Sequence, residues 1–447
     1  AHNIALDIII FFVGNLITET QNQFLPARFT IQDGKWKGKD EVDLGNNCWV
    51  GVAIAKFCLL YSDSSWATGT TKNCGTALDY LLGVIHSQEC KPGPGYMARM
   101  PTSDVHLTYV STEHMIDLYA FTTLLSQLIQ QKPNFLKSDP KLVTEIHTNC
   151  ANFVASMFDE TRKAYITGSG FSCKGKNGMI PADCQTWNML ANVDKNIDKK
   201  QNSLIYVTTN MLVPFTSTPP SKSTAMQSKA GIAFADGGKC GQWEETGSFL
   251  CSCFYFRFIF NKNLKIPPTV NNQLNEFQQF IYSQLTSSPP TAILATYSEN
   301  DTPCQTPFNS YPVSPHLASN MWCLASLVAA KTGGLPNLYT ADIPSNTPKK
   351  PSSRPSPNPP RSFPPPSAHH LPPQRQPFSN KPKPPSSPSP KPLPQQPTAH
   401  PHSPRPRLSP RPFPVVPPQK ASAKNYRMIV WLAVGSAILL LILITFM

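Results

Sequence analysis

STEHMIDLY at residues 111–119 and GQWEETG at residues 241–247 are the two stretches of this 447-residue chain that decide its fold. In each stretch, carboxylate and aromatic side chains stand together just before a run of apolar residues. The apolar residues recur every three or four positions, which predicts helices with one buried face. Both stretches therefore predict helices whose first turn carries acidic side chains.

The same helical spacing continues through residues 1–335, where loops rich in Gly, Pro, Asn and Ser separate the apolar runs. The predicted helices are 3–19, 46–62, 75–87, 111–131, 141–158, 184–191, 243–260, 271–284 and 314–331. No segment shows the alternating pattern of a strand-based domain, and a chain of about 335 residues is long enough for one large core. We therefore expect an all-α array of helical hairpins, with functional loops at one end.

The charge composition changes sharply near Pro344. The chain carries 39 basic and 26 acidic residues, yet residues 345–427 contain fourteen Lys or Arg and no Asp or Glu. The preceding part is almost neutral, with 25 basic and 26 acidic residues. The net charge of +13 belongs to the tail alone, so it does not indicate nucleic-acid binding by the folded part.

These changes divide the chain into a head at 1–340, a linker at 341–427 and a terminal segment at 428–447. Residues 344–418 hold 29 of the 48 prolines, which fix φ and remove amide donors. Too few apolar residues remain for a core, so we expect a disordered, extended spacer. The alternatives are a ligand for proline-binding domains and an electrostatic attachment to an acidic polymer or lipid.

The terminal segment, residues 428–447, contains no charged residue. As a helix, twenty such residues span a hydrocarbon core of about 30 Å, with Trp431 at the interface and Arg427 at its flank. We predict one transmembrane helix. A cytosol-facing tail anchor, an outward-facing protein and a cleaved lipid-anchor signal all fit, although the polar spacer after residues 421–423 is short for the third.

The amino-terminal part has two interpretations. The chain starts with Ala1, and residues 4–17 are apolar enough for the core of a signal peptide. Asp7 interrupts this run, no basic region precedes it, and no clean cleavage motif follows. We therefore favour an amphipathic helix at this position, with any targeting sequence lying upstream.

All twelve cysteines fall in the head. They form no Cys-x-x-Cys pair, so we expect no structural zinc site. Their even number fits disulfides, with at least two pairs at bridging distance, and an extracellular or lumenal head. The alternative is that several are simply buried apolar residues. Phosphate-binding, serine-hydrolase and HExxH motifs are absent from the sequence, so those enzyme classes have no motif support.

Local patterns in the head occur in a recognisable order. They are GNNCWV at 45–50, STEHMID at 111–117, ASMF at 155–158, TG at 167–168, PADCQTW at 181–187, FADGG at 234–238, WEETG at 243–247 and HLASNMW at 316–322. This series resembles the six-hairpin glycosidase-like group of sugar hydrolases and epimerases. The resemblance implies an (α/α)6 toroid over about residues 1–335, in which part of the first hairpin is missing.

Glu113, Asp183 and Glu245 are the candidate catalytic residues. Each lies at a predicted helix start, and paired carboxylates can supply the acid and the base that cleave a glycosidic bond. Glu244 and Glu245 diverge by about 100° on a helix, so we expect only Glu245, the better match to the resemblance, to face the centre. The alternative is helix capping, because acids near a helix N-terminus are favourable without any catalytic role.

His106, Asp117, Trp187 and Trp243 are the candidate substrate-binding residues. Asp117 follows Glu113 by four positions and shares its helix face, and the two tryptophans could stack on pyranose rings. The alternative for the tryptophans is packing between hairpins.

Together these features predict a membrane-anchored, surface-facing carbohydrate-active protein, a glycoside hydrolase acting through paired carboxylates. The alternative is a non-catalytic glycan-binding or structural toroid, because a fold does not determine a function. The expected partners are a carbohydrate and, through the terminal helix, the membrane. We expect no cofactor, no metal and no nucleic acid, and the sequence does not indicate an oligomeric state.

Overall fold

A computed structural model describes residues 2–18, 25, 28–32, 35–39, 42–61, 68–91, 93–99, 108–215, 230–288, 292–296, 304–305, 310–311, 316–333 and 337–340. Helices dominate these ranges. They are α1 His2–Thr18, α2 Leu44–Tyr61, α3 Thr68–Ser87, α4 Thr112–Gln131, α5 Pro140–Ser156, α6 Ala182–Ala191, α7 Ile197–Asn210, α8 Trp243–Phe260, α9 Pro268–Thr286 and α10 Leu317–Thr332.

The strands are short and lie in the loops between helices. They are β1 Arg28–Gln32, β2 Lys35–Lys39, β3 Phe158–Asp159, β4 Ala164–Tyr165, β5 Leu212–Val213, β6 Gly231–Ala233, β7 Gly241–Gln242, β8 Cys304–Gln305 and β9 Ser310–Tyr311. All pairs are antiparallel: β1 with β2, β3 with β4, β8 with β9, and β6 between β5 and β7. Because each sheet has only two or three short strands, the helices determine the architecture.

The even-numbered helices form an inner layer. Helix α2 packs against α4, α4 against α6, α6 against α8, and α8 against α10. Helix α6 is buried along its whole length, and α2 over most of its length. The odd-numbered helices lie outside: α3 packs on α2, α5 on α4, α7 on α6, and α9 on α8 and α10, while α1 packs on α3. Their buried residues follow one face only, as in Val143, Ile146 and Cys150 of α5.

The segment 337–340, which follows α10, is held between α2 and α6. Lys56 Nζ of α2 donates to the Asn337 carbonyl at 2.9 Å, and Asn337 Nδ2 donates to the Leu190 carbonyl at 2.6 Å. Lys56 is only 3% exposed, so these carbonyl oxygens help to solvate a buried ammonium group. The segment 337–340 thereby becomes part of the helical core.

Two glycines set how closely the inner helices approach. A Cβ atom at Gly51 of α2 would lie 2.6 Å from the ring of Phe121 on α4. A Cβ atom at Gly247 of α8 would lie 2.5 Å from the Trp322 carbonyl carbon of α10. The first contact is with a side chain, but the second is with helix backbone, which cannot move without shifting α10. Gly247 therefore fixes the distance between α8 and α10.

The structure bears out the predicted mostly helical head. Nine helices match predicted segments, but α7, Ile197–Asn210, was not predicted because its first turns read IDKKQNS and show no apolar stripe. The described ranges contain five inner and five outer helices, so a sixth hairpin is not among them. The predicted linker at 341–427 and terminal helix at 428–447 lie outside the described residues.

One described helix is long and apolar enough to cross a membrane, namely α2. Most of it is buried inside the helical array, as expected for the core helix of a folded domain. Its composition therefore reflects packing on both sides.

Cys90 and Cys173 form a disulfide with a Cα–Cα distance of 6.2 Å, and Cys240 is also disulfide-bonded. Both observations agree with the expectation of disulfides in the head. Eight other cysteines of the described ranges carry free thiols, and seven of them are buried. The alternative interpretation, that cysteines serve as small apolar core residues, thus holds for most of them.

Replacing Gly247 with Ala should lower the free energy of unfolding by about 1–3 kcal/mol, because the new methyl group collides with the α10 backbone. Gly83→Ala is the matched control: Gly83 is exposed on α3, and a Cβ added there would meet no atom within 4 Å. The free energy of unfolding of Gly83→Ala should rise by about 0.5–1 kcal/mol, because Ala has a higher helix propensity than Gly. Chemical denaturation of both variants measures the difference, and equal effects would contradict the close approach.

Candidate active site

A cavity of about 820 Å³ lies where the inner helices begin. Its lining includes residues from the first two turns of α2, α4, α6, α8 and α10, together with the loops before them. A volume in this range is typical of small-molecule sites. Because all five inner helices point their N-terminal ends toward it, their unpaired N–H groups and dipoles favour negative charge there.

Carboxylates dominate the charged lining. They are Asp43, Glu113, Asp117, Asp183, Glu244 and Glu245. The lining also contains one guanidinium, that of Arg99, and the imidazole of His114. Burial lowers the pKa of His114, so this ring is neutral at pH 7. The cavity is therefore strongly acidic in composition.

Asp183 and Glu244 hold protons at unusually high pH for carboxyl groups. Burial raises the pKa of Asp183 to about 7, opposed in part by its hydrogen bond from the Cys184 backbone N–H. Burial also raises the pKa of Glu244 to about 7. His316 Nδ1 lies 3.9 Å from Glu244 Oε2, but burial lowers the pKa of His316, so it brings no positive charge at pH 7.

Glu113 and Glu245 interact with the same neighbours. Burial raises the pKa of Glu113 well above its ordinary value, and the charge of Asp183 raises it further. Burial likewise raises the pKa of Glu245 well above its ordinary value, followed by the charges of Asp183 and Glu244. Like charges that raise each other's pKa cannot all ionise together, so the group shares protons near neutral pH.

Asp117 is held by a tyrosine from beyond the last helix. Tyr339 donates its hydroxyl to Asp117 Oδ1 at 3.0 Å, and both side chains are buried. Burial raises the pKa of Asp117 well above its ordinary value, and the Tyr339 hydrogen bond works in the opposite direction. Tyr339 thus fixes the carboxylate and favours its ionised form.

Three tryptophans and Tyr339 pack together at the cavity as an aromatic floor. Trp49, Trp187 and Trp322 line the cavity, and the rings of Trp187 and Trp322 stack with centroids 5.8 Å apart. Trp49 meets both edge-on, at 5.8 and 6.2 Å, and lies 4.8 Å from the Tyr339 ring. Offset and edge-to-face contacts of this kind stabilise aromatic clusters, so the floor is rigid.

Some polar atoms of this lining have no hydrogen-bond partner among the described residues. They are Asp117 Oδ2, Glu245 Oε2, Trp187 Nε1 and His114 Nδ1. Asp117 is 1% exposed, Glu245 4% and Trp187 6%. Buried polar atoms in native proteins are nearly always paired, so acceptors and donors left unpaired at one cavity indicate a place for a polar ligand.

A loop built on residues 166–170 forms one wall. Thr112 Oγ1 donates to the Ile166 carbonyl at 2.8 Å, and Ser169 Oγ accepts from the Val110 N–H at 2.8 Å. Gly168 has a φ of +150°, and a Cβ there would meet the Val110 carbonyl oxygen. Only glycine allows this approach, which brings the wall against the start of α4.

The structure brings most of the predicted site residues together. Glu113, Asp117, Asp183, Glu245 and Trp187 all line the cavity. Their catalytic and binding roles stay predictions.

Trp243 and Glu244 require corrections. Trp243 was expected to contact substrate, but it is fully buried and packs on Phe277 and Phe280 of α9, outside the cavity. Glu244 was expected to turn away from the centre because it neighbours Glu245. Glu244 and Glu245 both line the cavity, because the cavity lies over the N-terminal end of α8 and not along one side of that helix. His106 lies outside the described residues.

Sequence reasoning missed several residues of the lining. Arg99 and Tyr109 lie in loops without a distinctive pattern. Tyr339 follows the last predicted helix, and no sequence signal connects it with Asp117. The six carboxylates offer an arrangement suited to acid–base chemistry, since some bind protons near pH 7 while their neighbours ionise. The described residues contain no group of three or more His, Cys, Asp or Glu placed to hold a metal ion.

No protein-family model matches this chain, and no curated protein matches it. Its structure is similar to several solved ones. Cellobiose 2-epimerase from Bacillus thermoamylovorans is 10% identical with a TM-score of 0.46, covering 71% of this chain and 80% of that chain. A glycosidase in complex with glucose is 11% identical with a TM-score of 0.44, covering 74% and 81%.

A family 76 glycoside hydrolase (mannosidase) from Bacteroides thetaiotaomicron is 7% identical with a TM-score of 0.43, covering 74% and 82%. Each of these three solved proteins is named as an enzyme that acts on a sugar or a glycoside. At such identities and TM-scores, the activity of this chain has to be argued from its own cavity.

Tyr339→Phe should lower the free energy of unfolding by about 1–3 kcal/mol, because it removes the hydroxyl that donates to Oδ1 of the buried Asp117 carboxylate, whose Oδ2 has no partner among the described residues. Tyr282→Phe is the control, since Tyr282 is 61% exposed on α9; it should change stability by less than about 0.5 kcal/mol. Urea denaturation measures the free energy of unfolding of the two variants. Equal stability of both would show that the hydrogen bond to Asp117 does not hold the segment 337–340.

Proposed function

We propose that this protein is a carbohydrate-active enzyme, a glycoside hydrolase that cleaves glycosidic bonds with paired carboxylates. The observation that carries the proposal is the convergence of Glu113, Asp183 and Glu245 on one cavity that also has an aromatic floor. Glycosidases need a carboxylic acid to protonate the leaving oxygen and a carboxylate to activate water or attack the sugar. Aromatic faces offer a surface on which pyranose rings can stack.

The pKa pattern supports a division of roles. Glu113 and Glu245 have pKa values raised well above the ordinary range by burial, so either can remain protonated and act as general acid. Asp183, with a pKa of about 7, is ionised in a substantial fraction of molecules at neutral pH and can act as base. Its hydrogen bond from the Cys184 N–H stabilises that ionised form.

The same hydrogen bond also supports the second candidate, a non-catalytic glycan-binding toroid. A carboxylate that accepts from a backbone N–H in the first turn of its own helix can be explained by helix stabilisation alone. The two candidates share a ligand class and differ in whether a bond is broken. Conservative variants that keep shape but remove the titrating proton separate them.

Glu245→Gln and Asp183→Asn should each lower kcat by about 10²–10⁴-fold, the usual contribution of an acid or base, while sugar binding persists. Release of new reducing ends from an oligosaccharide panel gives the rate, and calorimetry gives the affinity. Glu276→Gln, an exposed position on α9, is the matched control and should keep full activity. Unchanged cleavage by both cavity variants would contradict the catalytic role of Glu245 and Asp183. If the unmodified protein binds the sugars but does not cleave them, the glycan-binding candidate is the correct one.

We also propose that residues 428–447 anchor the protein in a membrane and that residues 341–427 serve as a spacer, with the head on an extracellular or lumenal surface. The uncharged apolar run supports the anchor, and the disulfides of the head support an oxidising compartment. The full chain should remain in the membrane fraction after an alkaline wash, whereas a chain ending at residue 427 should be released. Equal release of both would contradict anchoring.

A further inference from the structure

The cavity is lined by far more acidic than basic groups, and this imbalance points to a positively charged ligand. Among the described residues that line it, six are carboxylic acids and one is a permanent cation, Arg99. Arg99 lies at one edge, where its backbone forms a β-bridge with Asp43. Asp43 in turn caps α2 by accepting from the Asn46 N–H at 2.8 Å.

Five carboxylates remain beyond this edge. They are Glu113, Asp117, Asp183, Glu244 and Glu245. In the described part of the chain, no Lys or Arg forms an ion pair with any of them. Ionised carboxylates that face one buried cavity repel one another strongly. A cation from outside the protein would relieve this repulsion.

Two of these acids present an open acceptor. Asp117 Oδ2 and Glu245 Oε2 are buried, line the cavity and have no partner among the described residues. An ammonium group offers three donors as well as a charge, so it can satisfy such oxygens and offset the repulsion together. A neutral hydroxyl can satisfy the oxygens but leaves the charge imbalance unchanged.

The aromatic floor can attract both a cation and a sugar ring. Trp49, Trp187 and Trp322 line the same cavity as the carboxylates, and aromatic faces attract cations through the ring quadrupole. The same faces stack on the apolar side of a sugar ring. A flat apolar ring that carries a positive charge is the chemistry that fits both features.

We propose that the cavity binds an amino sugar with a free amine, as in a de-N-acetylated hexosamine oligomer. The proposal rests on the carbohydrate-active function given above and adds a charge requirement to it. An N-acetylated sugar fits less well, because acetylation removes the charge and adds an acetamide group to an already acidic pocket. A lysine-rich peptide supplies charge without a pyranose ring, so it serves as the charge-only comparison.

The first experiment is a matched binding series at pH 6.5 with the full chain, solubilised in a neutral detergent. Glucosamine, glucose and N-acetylglucosamine are compared as monosaccharides and as β-1,4 tetramers, along with galactosamine, mannosamine and tetralysine. The best amine should bind at least tenfold tighter than its hydroxyl counterpart, which is about 1.4 kcal/mol. Tetralysine should bind more weakly than the amino sugar.

The second experiment isolates the charge. In Asp117→Asn the amide oxygen can still accept the Tyr339 hydroxyl, so the fold is kept while one negative charge is lost. The preference for the amine over the hydroxyl sugar should fall several-fold. Glu276→Gln, on the exposed face of α9, removes a distant charge and should leave the preference unchanged.

Amine binding should also release protons. An ammonium group favours the ionised form of nearby acids and lowers their pKa values, so protons held near pH 7 by Asp183 and Glu244 are lost to solvent. Calorimetry in buffers of different ionisation enthalpy measures this release. The titratable groups that line the cavity are Asp43, Tyr109, Glu113, His114, Asp117, Asp183, Cys184, Glu244 and Glu245, with Arg99 as the fixed charge. Tyr339 hydrogen-bonds Asp117, and His316 lies next to Glu244.

The outcomes separate this inference from the proposed function. Tighter binding of neutral or N-acetylated sugars overturns the amino-sugar proposal and leaves the carbohydrate-active function standing. Binding of tetralysine as tightly as any amino sugar overturns it in favour of a peptide ligand. Binding of none of the sugars at millimolar concentration overturns both.

Discussion

The structure depends on the burial of several carboxylates around one cavity at the ends of five helices. Isolated in a protein interior, such groups would be costly. The helix N-termini that converge there supply backbone N–H groups and favourable dipoles, and Tyr339 donates to Asp117. The pKa values of Glu113 and Glu245 remain raised, first because the groups are buried and second because neighbouring acids repel their charge. The cost of burial and the chemical usefulness of the site therefore share one origin.

Rigid packing is what keeps these acids close to one another. The aromatic floor of Trp49, Trp187, Trp322 and Tyr339 joins α2, α6, α10 and the segment that follows α10. The close approach at Gly247 holds α8 beside α10, and with it Glu244 and Glu245. If the helices could slide, the acids would separate and their pKa values would return toward ordinary values. Packing and electrostatics are therefore coupled in this domain.

Much of this arrangement could be predicted from local sequence. In the sequence, an acid followed by an apolar run predicts the first turns of α4, α6 and α8. Glu113, Asp183 and Glu245 could therefore be identified from the sequence. Helix α7 could not, because its first turns are polar and its buried face becomes visible only when α6 is in place. Trp243 was misplaced for a related reason: a tryptophan at a helix start is equally suited to a cavity and to the core, and only the position of α9 decides.

Long-range contacts account for the rest. Nothing near residue 339 in the sequence indicates a partner at position 117, and Lys56, in the middle of an apolar helix, gives no sign of the carbonyls that it meets 281 residues later. Glu244 was excluded by an argument about helix faces that holds for the side of a helix but not for its end. Such contacts depend on how distant elements meet, which a periodic pattern does not specify.

The position of the segment 337–340 has a practical consequence for anyone who wishes to prepare the head alone. Helix α10 ends at Thr332, and a boundary drawn there would look natural from secondary structure. It would remove the hydroxyl that Asp117 accepts from and the carbonyls that surround the Lys56 ammonium. The tryptophan rings now covered by Tyr339 would then face water. The smallest fragment that keeps this domain whole extends to at least Thr340, eight residues beyond its last helix.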